Sequence, residues 1–255
     1  MSLETAYLKI QQLQTSDNYY ASHGNRFART LYYMNAFGMH SGRIIDIGGG
    51  GAFGDIFHEF SQDALYESTN CDLRDSLPYN TDTFSYGICC EVIEHLSDND
   101  FYDQSTFTGL FMMLTEAYRV LKYDAKIIFT TPNISSYAAI RSLMLGSHPF
   151  NYHAHCREYT LYELTSALSY VGFEILHASA EYVWMTDENL IETFNKLMHM
   201  TNCSTENRGD DLFIVCKKPR TGEGRRPSPH EAGKILSPQL KQYQSQKIET
   251  ADKKA

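Results

Sequence analysis

Two spacings of apolar positions share this chain. Phe107, Leu110, Phe111, Leu114, Tyr118 and Leu121 recur at offsets of three, four and seven, which predicts an amphipathic helix over 105–121. Elsewhere, short apolar runs rich in β-branched and aromatic residues predict strands: "RIIDI" (43–47), "ALYEST" (64–69), "FSYGICC" (84–90), "AKIIFTT" (125–131), "FEILHASAEYV" (173–183) and "DDLFIVCKK" (210–218). Further helices are predicted over 17–37, entered from Ser16 or Asp17, from "FGDIFHEF" (53–60), over 161–173 with a stop near Gly172, and over 187–200. Pro132-Asn133 stops the strand before it. Strands that alternate with helices imply an α/β fold with a doubly wound, mostly parallel sheet covered on both faces. In such sheets ligands sit at the carboxyl ends of the strands, where the strand order reverses.

Composition adds bounds. With 255 residues, 42% hydrophobic and 21% charged, the chain suits one soluble domain plus an appendage. The expected division is a domain over 1–218 with an N-terminal helical cap, then a tail over 219–255. That tail holds four of the seven prolines and few large apolar groups, so it reads as mostly disordered, with a short helix near Gln239–Lys247. No run approaches the roughly 20 apolar residues of a membrane span. The start lacks a basic segment followed by an apolar one, so no secretory signal is expected. Six scattered cysteines without a CxxC pair suit reduced thiols in a cytoplasmic protein. From Lys217 onward ten basic residues face four acidic ones, which leaves the body with 12 basic against 27 acidic. So acidic a body argues against nucleic acid as a partner. Oligomeric state stays open.

The glycines after "RIIDI" bring in the chemistry. Residues 48–54 include five glycines in seven positions, and such a loop lets backbone approach a ligand closely. One register, Gly49-x-Gly51-x-x-Gly54, matches the dinucleotide fingerprint, a weak signal alone. A second reads Asp46-x-Gly48-x-Gly50, with the acid on the strand. That second register resembles motif I of the class I S-adenosylmethionine-dependent methyltransferases. Three further stretches resemble later blocks of that superfamily, in order and spacing: "CDLRDSLPYNTDTFSYGICCEVIEHL" (71–96), "RVLKYDAKIIFTTPN" (119–133) and "HCREYTLYELTSALSYVGFEIL" (155–176), the last like a bacterial branch. Phe84-Ser85 replaces the usual Phe-Asp, and Tyr123-Asp124-Ala125 replaces the usual Pro-Gly-Gly.

The resemblance implies a Rossmann-like sheet of seven strands and S-adenosylmethionine as cofactor. Asp46, Gly48, Gly49 and Gly50 would form a floor free of side chains. Asp72 would take the ribose hydroxyls, Leu73 would flank the adenine, and Cys90 and Glu91 would pass beneath. If 91–96 turns helically, Glu91, Glu94 and His95 share a face. His95, with a reference pKa near 6.5, suits a general base, and Glu94 its partner. Both are the candidate catalytic residues. Two carboxylates, His95 and either His153 or His155 could instead hold a divalent ion, the lesser alternative for a second cofactor. Residues 137–159 would form a lid that sets acceptor choice, and His23 and Arg26 either cap the site or lie on the surface. The resulting expectation is a cytoplasmic enzyme that methylates oxygen on a small molecule or glycan intermediate. The alternatives are a metal-using RNA 2′-O-methyltransferase and a binding module that keeps the cofactor pocket without turnover.

Overall fold

A computed structural model describes residues 18–49, 64–98, 107–185 and 187–236, with isolated positions within 4–11 and 53–57. In chain order the elements are α1 (Asn18–Ala36), β1 (Gly42–Asp46), β2 (Ala64–Ser68), β3 (Phe84–Cys90), a single 3₁₀ turn (Ile93–His95), α2 (Thr108–Val120), β4 (Leu121–Pro132), α3 (Tyr137–Met144), α4 (Leu161–Val171), β5 (Glu174–Glu181), α5 (Glu188–Met200), β6 (Asp211–Lys217) and α6 (Pro229–Leu236). The described positions within 53–57 are helical. Thr160 and Glu163 cap α4 reciprocally, and Gly172 at φ 121° ends it.

The strands form one sheet in the order β2-β1-β3-β4-β6-β5. β1 pairs parallel with β2 and β3, and β3 pairs parallel with β4. β6 alone runs the other way, antiparallel to both β4 and β5. Successive residues feed opposite faces. Ile45, Cys89, Ile127 and Ile214 pack with α2 and α4, while Ile44, Ile88, Ile128 and Val215 pack with Phe27, Leu31 and Met34 of α1. Both faces are therefore covered, as the unbroken apolar runs require.

The described residues hold six strands, where seven were expected. β2 and β3 flank β1, so residues 69–83 must make the whole parallel crossover, a length that leaves no room for a further helix and strand. Leu73 and Leu77 are buried there in place of a helix. Arg119 of α2 donates to the carbonyls of Tyr79 and Leu77 at 2.8 and 3.0 Å, and Glu116 accepts from the Leu77 N–H at 2.7 Å. All six cysteines are free thiols. Among the described residues no helix is long and apolar enough to cross a membrane.

Residues 219–236, expected as the start of a loose tail, lie against the body. Ala232 and Leu236 of α6 are both 1% exposed and join the cluster of α2 and α4. The Arg225 N–H donates to the Val171 carbonyl at 2.9 Å, and the Tyr118 hydroxyl donates to the Gly222 carbonyl at 3.3 Å. The helix expected near Gln239–Lys247 falls outside the described residues. Leu236→Ala should accordingly cost about 2–4 kcal/mol in denaturant unfolding. A loss below about 0.5 kcal/mol would mean that α6 is not docked in solution.

Candidate functional site

The carboxyl ends of β1, β3 and β4 meet at one place. Asp46 ends β1 with its side chain buried, and its carboxylate accepts from the Tyr66 hydroxyl. The chain then turns through Gly48 at φ 74°, where a β-carbon would lie 2.6 Å from Val92. The Gly48 N–H donates to Thr69 Oγ1 at 2.7 Å. At Gly49 a β-carbon would fall 1.9 Å from the Asp46 carboxylate. Glycine is therefore obligatory at 49: the carboxylate already fills the space a side chain would take. Leu73 is buried beside Gly48. Gly50 lies outside the described residues.

β3 ends in Cys90, whose thiol burial pushes well above its ordinary range, and Glu91. Glu91 sits at φ 56°, a left-handed conformation that costs a non-glycine residue about 1–3 kcal/mol. Its N–H donates to the Thr130 carbonyl at 3.0 Å, and the Thr130 hydroxyl donates to its carboxylate at 2.7 Å. This reversal prevents the regular helix expected over 91–96. The three groups converge through the 3₁₀ turn instead.

Glu94 is wholly buried. Oε2 accepts from the Thr131 hydroxyl at 2.8 Å, while Oε1 has no hydrogen-bond partner. Oε1 stands 4.0 Å from Nε2 of His95 and 4.0 Å from Nε2 of His155. Burial, with the nearby Glu91 charge adding to it, holds the Glu94 carboxyl well above the usual carboxylate range. Its main-chain carbonyl accepts from the N–H groups of Cys156 and Arg157 at 2.7 and 3.1 Å, which fastens the 137–159 segment to the end of β3.

His155, not His153, joins the group. Its Nδ1 lies 2.7 Å from Oε1 of Glu158, which also accepts from the Asn151 N–H at 2.6 Å. Burial raises Glu158 to about 7 and lowers His155. The His95 and His155 rings meet edge to face at 4.8 Å. Ligand atoms of Glu94, His95 and His155 lie within 4.8 Å of one another, so these three could hold a metal ion. His153 is exposed.

These residues open into a cavity of about 690 Å³ lined also by Glu91, Pro132, Asn151 and Tyr152. His23, Ala138, Trp184, Met185 and Asp210 line it as well. Of the two α1 residues, His23 lines the cavity and is lowered to about 4 by burial and by Arg26, while Arg26 is buried at 3% exposed and lies outside that lining. Asp72 is absent from the lining described. It lies beyond β2 with its carboxylate gripped by Arg74 at 2.6 and 2.9 Å, which lowers it to about 2.

Trp184, Met185, Asp210 and Glu158 were not singled out from the sequence. Glu158 was visible only within the "HCREYT" block, and Asp210 only as the first acid of "DDLFIVCKK". Trp184, the only tryptophan of the chain, directly follows the run predicted as the fifth strand, which was a usable signal.

Residues 20–178 match the family described as a methyltransferase domain. Among solved structures, the chain resembles an S-adenosylmethionine-dependent methyltransferase from Archaeoglobus fulgidus at 18% identity, with 79% of this chain and 100% of that one covered and a TM-score of 0.54. It also resembles a methyltransferase from Bacillus halodurans at 12% identity, 84% and 99% coverage and a TM-score of 0.46. The first likeness supports the same Rossmann-like fold. No curated protein matches the chain.

Gly49→Ala should destabilise the chain by about 2 kcal/mol, because the new methyl must displace a buried carboxylate. In an Asp46→Ala background the same change should cost little. The double-mutant cycle should therefore show coupling of at least about 1 kcal/mol, measured by urea unfolding. Additive effects would mean that the two residues do not touch.

Proposed function

We propose that this chain, which belongs to the methyltransferase-domain family, moves the methyl group of S-adenosylmethionine onto an oxygen of a small molecule or a glycan intermediate. The observation that carries this reading is the cavity at the ends of β3 and β4. Two imidazoles and a buried carboxyl line it, and the crowded glycine turn that follows β1 packs on Val92, the chain neighbour of the lining residue Glu91.

Methyl transfer is an in-line displacement at a carbon activated by a sulfonium, and the thioether departs neutral, without need of a protein acid. The protein must hold nucleophile and methyl at near-attack distance, worth about 7–11 kcal/mol, and must take a proton when the nucleophile is a hydroxyl. In this reading the turn at Asp46, Gly48, Gly49 and Gly50, with Leu73, Cys90 and Glu91, forms the floor under the cofactor. An acidic surround suits a ligand whose reactive centre is a cation. Asp72 takes the ribose hydroxyls by exchanging part of its contact with Arg74. His95, half-exposed, receives the acceptor proton, and Glu94 fixes its surroundings. The 137–159 segment, held to Glu94 through the backbone, closes over the acceptor.

A second reading rests on Glu94 Oε1, which is buried, unpartnered and flanked by two imidazole nitrogens. A divalent ion held by Glu94, His95 and His155 would supply Lewis-acid polarisation of the acceptor oxygen. That arrangement would suit the 2′-hydroxyl of an RNA end.

Calorimetric titration should show S-adenosylmethionine binding. His95→Ala should lower kcat by about 10²-fold and leave cofactor affinity within about twofold. Unchanged kcat removes His95 from the reaction. Asp72→Ala should weaken cofactor binding by about tenfold; undiminished affinity moves the ribose contact to Asp75 or Glu67. Activity lost on chelation and restored by Mg²⁺ or Mn²⁺ in the native chain, but not in Glu94→Ala, would select the metal reading.

A further inference from the structure

The cavity lining holds acids but no guanidinium or ammonium among its described residues. Three of them bear carboxyl groups, Glu91, Glu94 and Asp210, and none is Lys or Arg. The buried Arg26 is absent from that lining and sits in the field of Glu94 and Asp211, both buried. A phosphate or carboxylate brought into this space would meet acids without a guanidinium or ammonium to receive it. Recognition of phosphate depends on such cations.

Another part of the lining has a different character. Trp184 stands there at 6.0 Å from the His23 ring, edge to face. The backbone behind it is fixed by one buried side chain. Asp210 Oδ1 accepts from the N–H groups of Val183 and Trp184 at 2.8 and 3.2 Å, and Oδ2 accepts from that of Met185 at 2.6 Å. The same residue's main-chain carbonyl accepts from the Asn133 N–H at 3.0 Å, just past the end of β4. With three N–H donors on it, the Asp210 carboxylate is occupied in holding the aromatic wall. What the cavity offers a ligand is therefore an indole and Met185, together with the carboxyl, imidazole and amide groups of Glu91, His95, His155 and Asn151. These are partners for hydroxyl groups and for an apolar ring face.

Resting on the methyl-transfer reading above, we infer that the part of the acceptor entering this cavity is an uncharged, hydroxylated ring that lays its apolar face on Trp184 and carries no phosphate or carboxylate. A neutral sugar and a simple phenol share that chemistry. An RNA end departs from it, since the ribose that bears its terminal 2′-hydroxyl also carries a 5′-phosphate.

The full-length chain tests this with paired probes. Methyl glucoside is set against glucose 6-phosphate and glucuronate, catechol against 3,4-dihydroxybenzoate, and a short RNA stands alone. Binding to the protein saturated with S-adenosylhomocysteine is read by the emission of Trp184, the chain's sole tryptophan. Methyl transfer is read with labelled S-adenosylmethionine. An uncharged ring should bind, with its anionic partner at least about a hundredfold weaker in Kd or in kcat/KM, and the glucoside and catechol arms separate sugar from phenol. Trp184→Phe should retain acceptor affinity, whereas Trp184→Ala should raise the acceptor KM by about tenfold with cofactor affinity unchanged. Met185→Lys should narrow the gap between neutral and anionic probes. If Trp184→Ala does not fold, the Met185→Lys shift and the paired Kd values decide. Preference for an anionic probe or for RNA overturns the inference, as does failure of every uncharged ring to bind at millimolar concentration while S-adenosylhomocysteine binds. Failure of S-adenosylhomocysteine itself to bind overturns the methyl-transfer reading instead.

Discussion

A carboxyl group buried with one oxygen unpartnered is the constraint on which this site turns. Glu94 joins three parts of the chain: its Oε2 takes the Thr131 hydroxyl of β4, its backbone carbonyl takes two N–H groups from the 137–159 segment, and its Oε1 faces two imidazoles. Removal of a carboxyl from water without a full set of partners is costly. A sequence selected only for folding would place an apolar residue or a fully bonded one there. The arrangement persists with its free oxygen directed at His95 and His155, so the cost falls where chemistry can use it. The left-handed Glu91, three residues earlier, belongs to the same pattern. Its strained backbone ends β3 sharply and lets the following turn bring Glu94 and His95 to the cavity rather than along a helix.

Around that centre the fold supplies rigidity from ordinary packing. Ile45, Cys89 and Ile127 on one face of the sheet and Ile44, Ile88 and Ile128 on the other fix the strand ends that carry Asp46, Glu91 and Thr131. The Gly49 position shows how close the tolerances are, since the Asp46 carboxylate occupies the volume that any side chain there would need. α1 adds His23 to the lining, so a helix outside the sheet's alternation reaches the cavity.

Much of this was legible in the sequence. The apolar runs located all six strands within a few residues; the central strands are buried on both faces and therefore unbroken, and the edge strands β2 and β5, only partly buried, showed through their β-branched and aromatic residues. The periodicity of Phe107 to Leu121 located α2 because one side of that helix covers the sheet. Glu91, Glu94 and His95 were legible as a group. Their true geometry was not, because a positive φ at a glutamate has no sequence signal. His155 was legible only as one of two histidines, and the choice depended on Glu158, a tertiary partner. Asp72 read as a ribose ligand from its place in the chain, yet Arg74, two residues on, takes its carboxylate. α3 and α6 were missed: α3 is short, and α6 lies in a proline-containing stretch whose few apolar residues, Ala232 and Leu236, are the ones that dock.

One reversed strand has a consequence for how such a site can change. β3 and β4 deliver Glu91 and Pro132 to the cavity from where they finish, but β6 runs against β4, so Asp210 arrives from where β6 starts. The loop that precedes β6 can thus lengthen, shorten or vary in composition and reshape the wall around Trp184 while every strand end beneath the glycine turn stays in register. Recognition of the two ligands is in this way carried on mechanically separate supports, and a lineage of such chains could exchange one specificity for another without relearning the first.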